Sequence, residues 1–67
     1  MKLNDWFENE QKRTGKRVKM EEFGRKIGIT GAGVKKILNG SIPKPETMAA
    51  IERETGGKVR PADYYKP

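Results

Sequence analysis

Residues 20–39, MEEFGRKIGITGAGVKKILN, decide how this 67-residue chain folds. Phe23 and Ile27 are four apart and share one face of a first helix, while Val34, Ile37 and Leu38 line one face of a second. Gly28 falls between the two sets. A helix that must stop and turn sharply needs, just past its end, a residue that takes positive φ, and glycine does so without a Cβ clash. Ile29 then places an apolar side chain inside the turn, and the Thr30 hydroxyl suits the cap of the next helix. The stretch predicts two short, steeply crossing helices joined by a turn of three or four residues.

Two helices joined in this way form a helix-turn-helix unit, whose second helix can lie in a DNA major groove. The residues resemble the Cro-type and lambda-repressor-type helix-turn-helix family of small phage and bacterial DNA-binding domains. That family wants apolar residues at the fourth, eighth, tenth, fifteenth and eighteenth places of a twenty-residue unit, with glycine at the ninth. Counted from Met20, these places hold Phe23, Ile27, Ile29, Val34 and Ile37, with Gly28 as the glycine. The Asn39-Gly40 pair and the later IERETGG run also look like the family, so the likeness covers most of the chain. The plainer alternative is an amphipathic helical hairpin that places a glycine and apolar residues this way without binding DNA.

Charge helps to separate the two. Residues 1–10 carry one Lys against Asp5, Glu8 and Glu10, for a net −2. Residues 11–44 carry ten Lys and Arg against Glu21 and Glu22, for a net +8, and residues 45–67 have four of each sign. The whole excess of +6 therefore belongs to the helix-turn-helix unit and its flanks. Basic charge gathered on one part of a small domain is the footprint of a polyanion partner, because Lys and Arg that meet phosphates release condensed counterions. On composition alone a merely soluble basic surface weighs as much; coincidence with the motif favours nucleic acid.

The length permits one domain, which buries only about 60% of its unfolded surface, so the core must be small. With no Cys there is no disulfide and no thiolate metal site, which fits a reducing cytosol. Residues 1–17 hold no continuous apolar run and nothing is long enough to span a bilayer. A soluble cytoplasmic protein is expected, without membrane contact; the resemblance implies a bacterial host cell and association with its nucleoid through DNA.

Taken in order, Leu3 to about Arg13 reads as a first helix, with Asn4 as its N-cap and Leu3, Trp6 and Phe7 covering the core. Trp6 as a stacking platform for bases is a weaker reading, since single-strand binders need several such rings and this helix is acidic. In the connection TGKRVK, Gly15 ends the helix and Val18 packs ahead of the second as a staple. By resemblance Lys16, Arg17 and Lys19 contact phosphates where the second helix begins; solvated loop charge is the alternative for at least one of them. Gly24 stands where the family commonly has Ala and allows close approach. Glu21 and Glu22 can pair with Arg25 and Lys26.

With Val34, Ile37 and Leu38 facing inward, the outward groups of the second helix of the unit are the candidate DNA contacts. Thr30, Gly31, Ala32 and Lys35 are the candidates for base reading: Lys35 reaches guanine O6 and N7 or a phosphate, and Ala32 touches a thymine methyl. Lys36 and Asn39, with Gly40, Ser41 and Lys44 of the exit loop, are the candidates for phosphate, the loop by resemblance through the amides of Gly40 and Ser41. Many relatives carry Gln where Met20 and Gly31 stand, so the side chains suited to bidentate reading of adenine are missing. Two glycines in one short helix cost about 2 kcal/mol against Ala. The reading end is expected to be loosely formed until DNA orders it, with specificity leaning on Lys35, Ala32 and DNA deformability.

Pro45 suits the first position of a further helix running to about Thr55, ended by Gly56-Gly57. The domain is thus expected to span residues 1–57, with the unit at 20–39 and residues 58–67 a tail. The tail reads as a short strand at Val59 and one helical turn from Pro61, docked on the core or contacting a second subunit through Val59, Tyr64 and Tyr65. In Cro-type proteins the chain beyond the fourth helix commonly makes the dimer contact. A homodimer, at least on DNA, would bind two half-sites of a palindromic operator.

Enzymatic residues are scarce. There is no His and no Cys, Ser41 has no imidazole partner, and no metal-ligand spacing or phosphate-loop signature occurs. No catalytic residue, metal, cofactor or small-molecule substrate is expected. The sequence reads as an all-α domain of four to five short helices, lambda-repressor-like, with a short extended or one-turn tail. Its expected function is a sequence-specific double-stranded DNA-binding regulator, a Cro-like phage or prophage repressor. The alternatives are an antitoxin-like or accessory regulator whose main partner is another protein, and binding of RNA or any duplex by charge alone.

Overall fold

The computed structural model describes residues 1–65; positions 66 and 67 of the expected tail lie outside it. Four α-helices follow one another: α1 (Leu3–Thr14), α2 (Met20–Ile27), α3 (Gly31–Leu38) and α4 (Pro45–Glu54), and a 3₁₀ turn at Pro61–Tyr65 closes the described chain. No strand forms among the described residues, so Val59 is not the short strand its side chain suggested.

Each boundary has a local cause. Gly15 and Gly28, at φ 71° and 82°, take the left-handed conformation that ends α1 and α2. Thr30 Oγ1 accepts the Gly33 N–H at 3.1 Å and so caps α3. Pro45 occupies the first turn of α4, where its missing N–H costs nothing. Helix α1 begins one residue earlier than its apparent cap. Lys2 holds the cap position without a side-chain bond, and Asn4 lies inside the helix, where its Nδ2 donates to the Leu38 carbonyl at 2.9 Å. The amide that looked like a local cap therefore ties α1 to the end of α3.

The core draws on every element. Leu3 and Phe7 come from α1, Phe23 and Ile27 from α2, Val34 from α3, Ala50 and Ile51 from α4, and Val59 from the tail. Val34, Ile51 and Val59 are 0% exposed, each contributing about 1.5–3 kcal/mol by leaving water. Trp6 belongs to this core: its ring lies 5.8 Å from Phe7 and 5.5 Å from Phe23, which are themselves 5.1 Å apart in an edge-to-face pair. An indole packed among two rings is structural and does not offer a stacking platform.

Val59 was an expected dimer contact, and burial removes it from any surface a partner could touch. What holds it is Thr55, itself buried. The Thr55 hydroxyl donates to the Ile51 carbonyl at 2.8 Å and accepts the Val59 N–H at 3.1 Å. Beyond it, buried Asp63 accepts the Arg60 N–H at 2.9 Å and the Met1 ammonium at 2.7 Å, which draws the chain ends together. Tyr64 packs against the core and Tyr65 is 66% exposed. Glu21 and Glu22 form no ion pair with Arg25 or Lys26; those seen among the described side chains are Glu8–Lys12 and Glu10–Arg13.

Candidate nucleic-acid interface

Helix α3 packs Val34 fully inward, with Ile37 and Leu38 half-buried against the core. Helical geometry then turns the remaining positions out. Thr30, Ala32, Lys35, Lys36 and Asn39 are exposed, as are Gly40, Ser41 and Lys44 of the following loop. Lys16, Arg17 and Lys19, on the connection ahead of α2, are exposed too. None of these five lysines and the arginine is in an ion pair among the described residues. Arg13 is otherwise engaged: its guanidinium makes two bonds to the Glu10 carboxylate, 2.6 and 3.1 Å, which hold that carboxyl below its usual range.

The basic residues fall at the two ends of the unit. Lys36, Ser41 and Lys44 line one shallow depression beside Gly28 and Gly33, so the end of α3 and the exit loop act together. Arg17 and Lys19 line another at the start of α2, with Glu21 and Arg25. Arg17 and Lys19 also share with Lys16 and Lys26 a third groove, where Glu10, Glu22 and Glu54 offset part of the positive charge.

Three candidates change role. The Gly40 N–H donates to the Ile37 carbonyl at 3.1 Å and the Ser41 N–H to the Lys36 carbonyl at 2.9 Å, closing the end of α3. Their amides are thus committed, leaving Gly40 without a free donor and Ser41 with its hydroxyl only. Gly31 is half-buried, and a Cβ built there would lie 2.8 Å from Glu21 Cγ and 3.3 Å from the Glu21 backbone. It is a contact point between the starts of α2 and α3 and presents no reading group of its own. Gly24 is likewise a packing glycine, since its Cβ would stand 2.6 Å from the Ile29 carbonyl oxygen. Neither has positive φ. The sequence already marked Gly24 as a packing glycine; the same signal, a glycine inside a helix where no left-handed turn calls for it, could have revealed the approach at Gly31.

Two further residues escape a helix-by-helix reading. Asn4 fixes the C-terminal end of α3 from α1, and Glu21 lies over its N-terminal end from α2. Together with the Thr30 cap they hold α3 at both ends and leave its middle outward.

A short exposed helix after a glycine turn, clasped by its neighbours and flanked by unpaired cations, defines a helix-turn-helix DNA-binding domain. The family model for helix-turn-helix proteins, of the Cro and lambda-repressor type, matches residues 10–60, and the chain belongs to that family. It is a DNA-binding transcriptional regulator whose partner is double-stranded DNA, in a family that is not enzymatic. No curated protein and no solved structure gives a significant match. Among the described residues no helix is long and apolar enough to cross a membrane.

Proposed function

We propose that the chain is a Cro-like phage or prophage repressor that places α3 in the major groove of a specific operator and acts by occupying a site that overlaps a promoter. The observation that carries this reading is the state of α3: both ends are fixed by contacts from outside the helix, while Ala32, Lys35 and Lys36 stay exposed. Those contacts aim the helix at a groove even where its two glycines leave the first turn loose, and its free cations meet phosphate or guanine without first breaking an ion pair.

In this reading Lys35 and Ala32 read bases, with Lys35 on guanine O6 and N7 and Ala32 on a thymine methyl. The Thr30 hydroxyl, which accepts within its cap, still has a proton to donate to a phosphate or base edge. Lys16, Arg17, Lys19, Lys36, Asn39, Lys44 and the Ser41 hydroxyl hold the DNA backbone. Two copies bind a palindromic operator as a homodimer, with half-sites about 34–36 Å apart, and Tyr65 with the outer part of Tyr64 supplies the contact between them.

The test is affinity for a selected operator and for random duplex, measured across a salt series. A specific regulator keeps a large preference at raised salt, whereas a binder by charge alone loses affinity with no preference to show. Lys35→Ala is expected to cut the preference about tenfold, in the range of one good base contact. Lys16→Ala is expected to weaken both duplexes alike and to lower the salt slope by about 1. Equal affinity for operator and random duplex at raised salt refutes the proposal.

A further inference from the structure

We propose that Glu21, on the helix before the one in the groove, is a specificity-determining residue whose carboxylate accepts a hydrogen bond from the exocyclic amino group of cytosine. The inference rests on the reading of α3 as the groove helix. It starts from the space around Gly31. A Cβ at that position would lie 2.8 Å from Glu21 Cγ and 3.3 Å from Glu21 Cα. The Glu21 stem therefore fills the volume from which a side chain at position 31 would set out, and its carboxyl carbon, bonded to that Cγ, is within reach of the head of α3.

The head of α3 is otherwise poor in hydrogen-bonding side chains. Gly31 and Gly33 have none, Ala32 has a methyl, and the Thr30 hydroxyl, which accepts from the Gly33 N–H, has only its proton left to donate. Glu21 is exposed, and among the described residues no cation and no hydrogen-bond donor partners its carboxylate. It is thus an uncommitted acceptor that shares a shallow depression with Arg17, Lys19 and Arg25.

A carboxylate is an acceptor only, which restricts what it can face. Guanine shows two acceptors in the major groove and thymine one beside its methyl, so both repel it. Adenine offers its N6 amino group next to the N7 acceptor, whereas cytosine offers N4 with no acceptor of its own at that edge. Cytosine is the base left. The same charge opposes a nearby phosphate, so Glu21 weakens binding to every sequence that does not supply the amino group.

The experiment selects bound duplexes from a random pool with the wild-type chain, Glu21→Ala and Glu21→Gln, and compares affinities for the wild-type winner and for random duplex. Thermal melts of all three check that the exposed substitutions leave the fold intact. The wild type is expected to fix a cytosine at one place in each half-site. Glu21→Ala is expected to lose about tenfold preference there and nowhere else, and to bind random duplex about fivefold more tightly at low salt. Glu21→Gln, whose amide suits adenine N6 and N7, is expected to move the preference at that place towards adenine. A wild-type pool that enriches no sequence overturns the regulator reading and this assignment with it. A fixed operator that all three proteins select identically, or a change spread evenly over its positions, overturns the role of Glu21 alone.

Discussion

Replacing Thr55 by valine tests whether one buried hydroxyl fastens the tail to the helices. The Ile51 carbonyl would keep a partner after the change, because the Thr55 N–H also donates to it at 2.9 Å. The group orphaned is the Val59 N–H, whose bond to Thr55 Oγ1 at 3.1 Å lies in a fully buried place. Leaving a buried donor unpaired costs about 1–3 kcal/mol, and the added methyl recovers part of that by apolar contact. A net loss of about 1–2 kcal/mol lowers the melting temperature by about 4–16 °C in a domain of this size. Circular dichroism melts read it, with Thr55→Ser as the control that keeps the hydroxyl. The groups proposed to face DNA are on other elements, so affinity well below the melting temperature should stay within about twofold of wild type. If Thr55→Val melts at or above wild type while Thr55→Ser falls, the methyl and not the hydroxyl holds the tail.

Gly24→Ala sets two effects against each other: helix propensity favours Ala by about 1 kcal/mol, but the new Cβ would meet the Ile29 carbonyl oxygen at 2.6 Å. Overpacking against backbone costs about 1–3 kcal/mol, so the melting temperature is expected to fall, and a rise would mean that the turn retreats freely. Burial pushes the Tyr64 hydroxyl up to about 12, with the charges of Asp63 and Glu52 adding to it. The folded chain then keeps a proton that the unfolded chain releases near its ordinary value of about 10, so stability falls as pH rises from about 10 to 12. Tyr64→Phe is expected to lose that decline, and to melt slightly higher because it deletes a buried hydroxyl with no hydrogen-bond partner among the described residues; equal pH dependence in both proteins rules this out. In hydrogen exchange on the free protein, the amides of residues 31–34 are expected to exchange faster than those of 23–27, because two glycines weaken the start of α3; equal protection would count against it.

What could be read from the sequence was local. Phe23, Ile27, Val34 and Ile37 announce their faces through helical spacing, Gly28 its turn through φ, and Pro45 its helix start, because each depends on neighbours within four or five residues. Contacts between distant positions left no such trace. Asn4 is a good cap by type, yet its amide finds Leu38, 34 residues away. Asp63 in a polar tail gives no hint that it is buried against Met1. At the site, Lys35 and Ala32 follow from the outward face of α3. The role of Gly31 does not, because the space it leaves is defined by Glu21 on another helix. The amides of Gly40 and Ser41 look available in a loop and are consumed by the helix end they follow.

The bonds from Asn4 and Thr30 have a consequence for how such a domain can change its target. Ala32 and Lys35 take no part in either bond and touch solvent, so substitutions there put little of the fold at risk. If α3 reads DNA as proposed, its outward face can therefore drift to new targets while the frame that aims it stays as it is.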